Sequence, residues 1–391
     1  MHYDFTTLPR RWNTGAEKFH NMTQKAPDVP EGVVPFSVAD MDFLPPPELL
    51  EGLHQVVDET IFGYILPGDS YYDAILGWMD RRHGVKVRRD WLVDADNVLE
   101  ALRQMILAYT QPGDKILTLT PSYPPFLSIP VDAERQLLQC PLRMGEDRRY
   151  MIDFDRLEDF CRREDVKLLA FCNPHNPVGR AWTVEELTQV ADICLRHGVF
   201  IVSDEIHWDL ILPGTTFTSM ALLPEKYLAN CAVSTAVSKT FNIAALRGGT
   251  VILPDEDRRR RYHAHDGISG RDVFSYAATE IVYTRCEAWL EELITVIEGN
   301  RRLLADFMAQ RLPEVGVTPM EATYLQWLDF RFMGLDPQEL ENFMAYQARC
   351  FFTEGYKFGE GGAGFERWSL ACPEQVLLAG LERMEKAIKS R

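Results

Sequence analysis

Lys239 stands in the run Ser238, Lys239, Thr240, Phe241, Asn242, just past an apolar stretch, and Arg247 follows shortly beyond it. An amine close after a strand, with a fixed cation nearby, is what is needed to hold an aldehyde cofactor as a Schiff base while gripping that cofactor's phosphate. Alone, the Ser-Lys pair reads equally well as a solvated surface lysine. Three other segments bear on the choice. Asn173, Pro174, His175, Asn176, Pro177, Val178 and Gly179 follow one predicted strand, and Ser203, Asp204, Glu205, Ile206 and His207 close the next. An acid at the C-terminal edge of a strand stands where open α/β sheets bind ligands. Near the other end of the chain, Phe365, Glu366, Arg367, Trp368 and Ser369 carry a lone arginine between aromatics. Taken singly these are a Pro/Asn turn, a helix-capping acid and a surface arginine with its stem packed down.

The elements that must position these groups are legible from the pattern of apolar residues. Segments 115–120, 167–171, 199–203 and 250–253 are near-continuous β-rich runs separated by helical patterns. Such runs belong to strands covered on both faces, so the expectation is an α/β fold with a mostly parallel sheet. Thr183, Val184, Glu185 and Glu186 form a capping box, opening a helix through Leu187, Val190, Ala191 and Cys194 that stops at Gly198. Asp96, Asn97, Val98, Leu99 and Glu100 enter another helix through Ala101, Leu102, Met105 and Ile106. Past residue 288 the rhythm changes to a long amphipathic helix with the stripe Leu290, Leu293, Ile294, Ile297, Leu304, Phe307 and Met308. A β-rich segment at 324–330 and a further helix from Pro337 follow. We therefore expect a large domain over 45–287 and a smaller α+β domain over 288–391. Residues 1–44, Pro-rich and without a sustained period, are expected to drape over the smaller one. The glycine-rich stretch 359–364 neither follows the first strand of a βαβ unit nor opens a helix, so it reads as a flexible loop bringing Arg367 into place.

Composition narrows the function classes. The 391-residue chain carries 58 acidic and 41 basic side chains, a net charge of −17. This argues against attraction to nucleic acid or anionic membrane. The start Met1, His2, Tyr3, Asp4, Phe5 lacks the pattern of a signal peptide, and no long apolar run exists to cross a bilayer, so a cytoplasmic protein is expected. Eight cysteines, at 140, 161, 172, 194, 231, 286, 350 and 372, include no Cys-x-x-Cys pair and no His spacing suited to zinc. No metal is expected, and the thiols should be reduced and packed.

Asn176, Asp204, Lys239 and Arg247, in that order, resemble the pyridoxal 5′-phosphate (PLP) site of the fold-type I enzymes of the class I/II aminotransferase family. The resemblance covers most of the chain and implies roles. Lys239 would hold the cofactor, Asp204 would keep its pyridine nitrogen protonated, and Asn176 would donate to its phenolic oxygen. Tyr123, in Thr120, Pro121, Ser122, Tyr123, Pro124, resembles the aromatic that stacks on the ring. Arg247 matches the phosphate clamp, with the helix-start N–H groups of Val98 and Leu99 beside it. Arg367 matches the arginine that pairs with the substrate's α-carboxylate. Two positions depart from the family pattern: Asp96 stands where glycine is usual, and Ala236 replaces a phosphate-site hydroxyl that Ser238 could supply.

Finer matches choose among reactions. Residues 38–43, Phe62, Gly63 and Tyr64, residues 204–207, 323–329 and 355–359 resemble the MalY/PatB-type carbon–sulfur β-lyases, the cystathionine β-lyase branch of this family. His207 stands where aminotransferases place a tyrosine, and it reads as a group of the cofactor's surroundings. The resemblance implies α,β-elimination from L-cystathionine or related cysteine S-conjugates, giving thiol, pyruvate and ammonia. It also implies a homodimer in which Tyr64 reaches the neighbour's cofactor. An aminotransferase is the first alternative, and a regulatory or binding protein that keeps the PLP fold is the second.

Overall fold

The computed structural model describes residues 2–265 and 272–391. Its main sheet contains β1 (Leu92–Ala95), β2 (Lys115–Thr120), β3 (Gln136–Pro141), β4 (Val166–Cys172), β5 (Phe200–Asp204), β6 (Cys231–Thr235) and β7 (Gly249–Ile252). They lie side by side in the order β1-β7-β6-β5-β4-β2-β3. Every strand but β7 runs in one direction, and β7 is antiparallel to both β1 and β6. Among the helices are α1 (Glu17–Lys25), α2 (Asp69–His83), α3 (Val98–Tyr109), α4 (Val184–Arg196) and α5 (Glu287–Arg311).

The apolar runs are continuous because each face of the sheet meets its own core. Ile116, Leu168, Ala170, Phe200, Val202 and Ala232 share one core with Ala101, Leu102, Met105 and Ile106 of α3. Their alternates Leu117, Leu169, Phe171, Ile201 and Val233 share the other with Leu187, Val190 and Cys194 of α4. Period-two alternation thus distributes one strand between two layers, and each fully buried aliphatic side chain contributes roughly 1.5–3 kcal/mol. The capping box of α4 forms, with Glu186 N–H donating to Thr183 Oγ1 at 3.2 Å and Thr183 N–H to Glu186 Oε2 at 2.9 Å.

The antiparallel β7 matters for the site. Its first residue, Gly249, pairs with Ala95 at the end of β1, so Arg247 and Gly248 are carried to the edge where α3 begins. Gly248 N–H donates to the Asp96 carbonyl at 2.6 Å. A Cβ on Gly249 would lie 3.1 Å from the Asn97 carbonyl carbon and 3.2 Å from Val98 N. Glycine at this point lets the helix start close against the strand.

A second, antiparallel sheet holds β8 (Gly316–Val317), β9 (Leu325–Asp329), β10 (Thr353–Glu354) and β11 (Phe365–Ser369), in the order β8-β9-β11-β10. The apolar stripe of α5 is buried as its spacing predicts. The helix from Pro337 is short, ending at Asn342 and continuing as a π turn over Phe343–Gln347. Residues 1–44 contain α1, which the absence of a period did not announce. Phe19 and Met22 of α1 pack with Ala345 and Phe351, while Lys18 is buried against Asp42 at 2.5 Å. Stretch 359–364 is a tight turn, not a flexible loop: a Cβ on Gly362 would meet the Gly355 carbonyl at 2.0 Å. All eight cysteines are free and buried. No helix among the described residues is long and apolar enough to cross a membrane, and no cluster of ligating side chains there could hold a metal ion.

Candidate active site

Parallel strands deliver their C-terminal ends to one edge of the sheet, and a cavity of about 430 Å³ opens there. Asp204 ends β5, Asn176 follows β4, and Lys239 lies in a single turn, Val237–Thr240, directly after β6. All three line the cavity, as do Tyr123, His207, Ser238, Arg247 and the first residues of α3. Tyr64 does not: it is fully exposed, with Ile61, Phe62 and Leu66 exposed beside it.

Each group has few competing partners. Lys239 Nζ donates to the Ala39 carbonyl at 2.8 Å, and the Asp204 carboxylate accepts from Ile206 N–H at 3.0 Å. Arg247, at φ 56°, makes no ion pair with any described residue although it faces the cavity. Asn97 caps α3, accepting from Leu99 N–H at 3.0 Å and Glu100 N–H at 2.9 Å. The Leu99 N–H, expected to face a phosphate, is therefore occupied here by the cap, a competition that Asn at a helix start always offers. His207 Nδ1 is buried without a partner among the described residues.

Burial sets the protonation states. It raises Asp204 to about 6 against the opposing pull of the Ile206 N–H and Lys239. Lys239 is lowered, first by burial and then by Arg367, while Asp40 and Asp204 partly restore it. Burial brings His207 down to about 3, with Lys239 and Arg367 adding to the shift, so its imidazole is neutral. The partly buried phenol of Tyr123 is raised by burial and stays protonated.

Arg367 sits on β11 opposite Trp327 and Thr353. Its Nη1 donates to Asn176 Oδ1 at 2.9 Å and its Nη2 to Thr353 Oγ1 at 3.2 Å. The Asn176 amide nitrogen has no partner among the described residues, and Asn176 lines the first cavity. Burial lowers Arg367 to about 10, which keeps it charged at neutral pH. It lines a second cavity, also about 430 Å³, that shares Ala39 and Tyr123 with the first. Lys25, Glu341, Glu354 and Lys357 form part of its wall.

Residues 31–383 match the sequence profile described as aminotransferase class I and II. The chain belongs to that family. Within it, the chain is 39% identical to cystathionine beta-lyase PatB of Bacillus subtilis, over 91% of this chain and 92% of that protein. It is 30% identical to protein MalY of Escherichia coli, over 92% of each. Among solved structures, cystalysin from Treponema denticola, which contains PLP, superposes with a TM-score of 0.97 at 41% identity, covering 100% of both chains. A PLP-bound C-S lyase from Staphylococcus hominis gives 0.92 at 28% identity, covering 99% of this chain and 98% of that one. The family's fold-type I architecture is the one described above.

The donor set fits the family's cofactor. PLP brings an aldehyde, a pyridine nitrogen, a phenolic oxygen and a phosphate dianion. The cavity presents a buried amine, a buried carboxyl, a free amide N–H and an uncompensated guanidinium beside a helix start. Sequence reasoning missed several supporting residues. His175 Nε2 lies 2.9 Å from the Pro121 carbonyl, tying the Asn176 loop to the Tyr123 loop. Asn242 bonds the backbone of Met41 and Phe43 at 2.9–3.2 Å, fixing the N-terminal segment beside Lys239. Its positive φ of 57° is a conformation that Asn tolerates, and the residue type is the one signal the sequence offered.

Proposed function

We propose that this chain is a PLP-dependent carbon–sulfur β-lyase acting on L-cystathionine or related cysteine S-conjugates, releasing thiol, pyruvate and ammonia. The observation that carries the reading is the convergence of the buried Lys239 amine, the Asp204 carboxyl and the Arg367–Asn176 pair on adjoining cavities. The likeness to PatB and to a C-S lyase supports the lyase over plain transamination.

In this reading Lys239 holds the cofactor, Asp204 faces its ring nitrogen, Asn176 its phenolic oxygen and Tyr123 its ring face. Arg247, Ser238 and the start of α3 at Val98 and Leu99 take the phosphate, and His207 is a neutral neighbour of the ring. When bound, the cofactor supplies an electron sink for the carbanion left at Cα. Arg367 pairs with the substrate carboxylate and so turns Cα–H toward Lys239. Lys239, which would hold the cofactor until substrate binds and which burial keeps from ready protonation, would remove the Cα proton. The Cβ–S bond then breaks with its electron pair going to sulfur, and the proton held by Lys239 passes to that sulfur as the thiol leaves. Aminoacrylate hydrolyses to pyruvate and ammonia. His207, kept neutral by burial, lacks the acidic proton of an imidazolium at neutral pH, and Lys239 carries the proton in both steps.

The same reading makes the protein a homodimer. The exposed Ile61, Phe62, Tyr64 and Leu66 would then lie under the second copy, with Tyr64 reaching the partner's cofactor. It also divides the chain into a large domain over 45–287 and a small one over 288–391. Two measurements test the enzyme. Pyruvate and thiol should appear from L-cystathionine with no keto-acid acceptor, and borohydride reduction followed by peptide mapping should label Lys239. An acceptor-dependent keto acid with its side chain intact would instead mark an aminotransferase.

A further inference from the structure

Asp209 is buried behind the Lys239 turn and lines neither of the two cavities. Its Oδ2 accepts from Thr240 Oγ1 at 2.8 Å. Its Oδ1 accepts from Trp78 Nε1 at 3.0 Å and lies 2.7 Å from His83 Nε2. Trp78 and His83 belong to α2, and the His83 ring stacks on Trp208 at 4.1 Å. One carboxylate therefore joins α2 to the residue next to Lys239.

Two features make that junction matter. The turn Val237–Thr240 is four residues long and begins at Ala236, which provides no side-chain cap. A single uncapped turn has almost no intrinsic stability, so its place must be set by tertiary ties. The Thr240 hydroxyl is such a tie, made one residue from the amine. Asp209 is also held rigidly to the end of β5: Glu205 N–H donates to Ser234 O at 2.7 Å, Trp208 N–H to Glu205 O at 3.0 Å, and Leu210 N–H to His207 O at 2.9 Å. The backbone that carries Asp204 and His207 thus carries Asp209 with it.

We propose that Asp209 is a positioning residue for the Lys239 amine, acting through Thr240 to hold the Lys239 turn at a fixed distance from Asp204. The inference rests on the reading of Lys239 as the residue that holds the cofactor and moves the Cα proton. The charges that act on Lys239 directly, those of Asp40, Asp204, Arg367 and Glu17, are not touched by changing Thr240.

The test uses the PLP-loaded enzyme and the pH midpoint of its visible absorbance, which follows protonation at the Lys239 nitrogen. Thr240→Val, which exchanges a hydroxyl for a methyl, should move that midpoint by about half a unit or more and lower kcat ~10-fold, with KM within about 2-fold because Arg367 is untouched. Thr240→Ser, which keeps the hydroxyl, should restore both. Asp209→Ala should match or exceed Thr240→Val, and if it fails to fold the Thr240 pair decides. Leu377→Ala, a cavity in the buried face of the last helix, serves as a control that lowers Tm without moving the midpoint. Thr240→Val with wild-type midpoint and kcat, or Leu377→Ala shifting the midpoint as far, would overturn the inference. Absence of a borohydride label on wild-type Lys239 sinks the underlying reading first, whereas a labelled Lys239 with unmoved Thr240→Val sinks this inference alone.

Discussion

In the cavity around Asp204 and Lys239 the polar groups come from the strand ends of one sheet, and in the adjoining cavity around Arg367 they come from α1, from 337–358 and from β11. The first set is largely unpaired: Arg247 and Asp204 make no ion pair among the described residues, and Lys239 donates only to a backbone carbonyl. The second set is largely paired, Glu366 excepted, whose buried Oε2 has no partner among the described residues. Lys25 pairs with Glu341 and, at 3.0 Å, with Glu354; Lys357 Nζ lies 2.7 Å from Glu354. Despite the upward push of burial, Lys357 and Lys25 hold the Glu354 carboxyl down at about 2. Uncompensated groups waiting on a guest are suited to chemistry and dear to fold, whereas paired groups make a stable wall that shapes a substrate with little net field. The prediction from this contrast is that single changes in the first cavity abolish function and single changes in the ion-paired wall of the second, Arg367 apart, only shade it.

The largest effect should come from Lys239→Ala, which on the proposed reading removes both the cofactor's attachment and the base. Single-turnover release of pyruvate should slow on the order of 10³–10⁴-fold or more, with Tm nearly unchanged and the cofactor lost on dialysis. Next is Arg367→Ala, in the second cavity and bonded to Asn176 of the first. We expect a loss of about 2–4 kcal/mol in kcat/KM with the cofactor's spectrum intact. Unaltered kinetics in that variant would return Arg367 to a packing role.

A third prediction uses the sign of the Asp204 shift. In cofactor-free protein its pKa is about 6 against an ordinary 3.8, so between those pH values the unfolded chain loses its proton first. Stability from this group is complete below pH 4, falls as pH rises through 6, and is constant above it. Asp204→Asn should therefore raise the Tm of the cofactor-free protein, clearly at pH 7.5 and barely at pH 4. Loading PLP should reverse the ranking, since the carboxylate then has a partner. An equal Tm gain at both pH values would mean that the shift does not act on folding. The smallest effect belongs to the wall: Lys25→Met should change KM within about 3-fold and leave kcat alone, as partly exposed ion pairs contribute little. A tenfold change in KM for L-cystathionine but not for S-ethyl-L-cysteine would show that the wall reads the group on sulfur.

Much of the first cavity was legible because its residues stand at ends of strong local patterns. Asp204 closes a continuous apolar strand, Asn176 sits in a Pro/Asn turn, and Lys239 follows another strand. The second cavity was not legible beyond Arg367. The α1 helix is only nine residues long, so Phe19 and Met22 make too short a stripe to read as a sustained period, and Lys18 beside them is buried by charge pairing with Asp42. The wall joins Lys25 to Glu341 and Glu354 across most of the chain, a pairing that no local rule foresees. Nor did the motif at Val98 and Leu99 disclose that Asn97 would occupy the Leu99 N–H. Periodicity speaks of elements, and these features are contacts between them.

The buried cysteines have a consequence for a protein that would release thiols. Cys172 and Cys350 each line one of the two cavities, yet burial pushes both thiols far up, Cys350 to about 12. Disulfide exchange proceeds through a thiolate, and at neutral pH these sulfurs have almost none to offer. The folded chain should be redox-silent toward its own product and toward oxidised thiols in its surroundings. The same burial makes a thiol-specific dye an unfolding clock, dark on the native protein and registering eight sulfurs only as the chain opens.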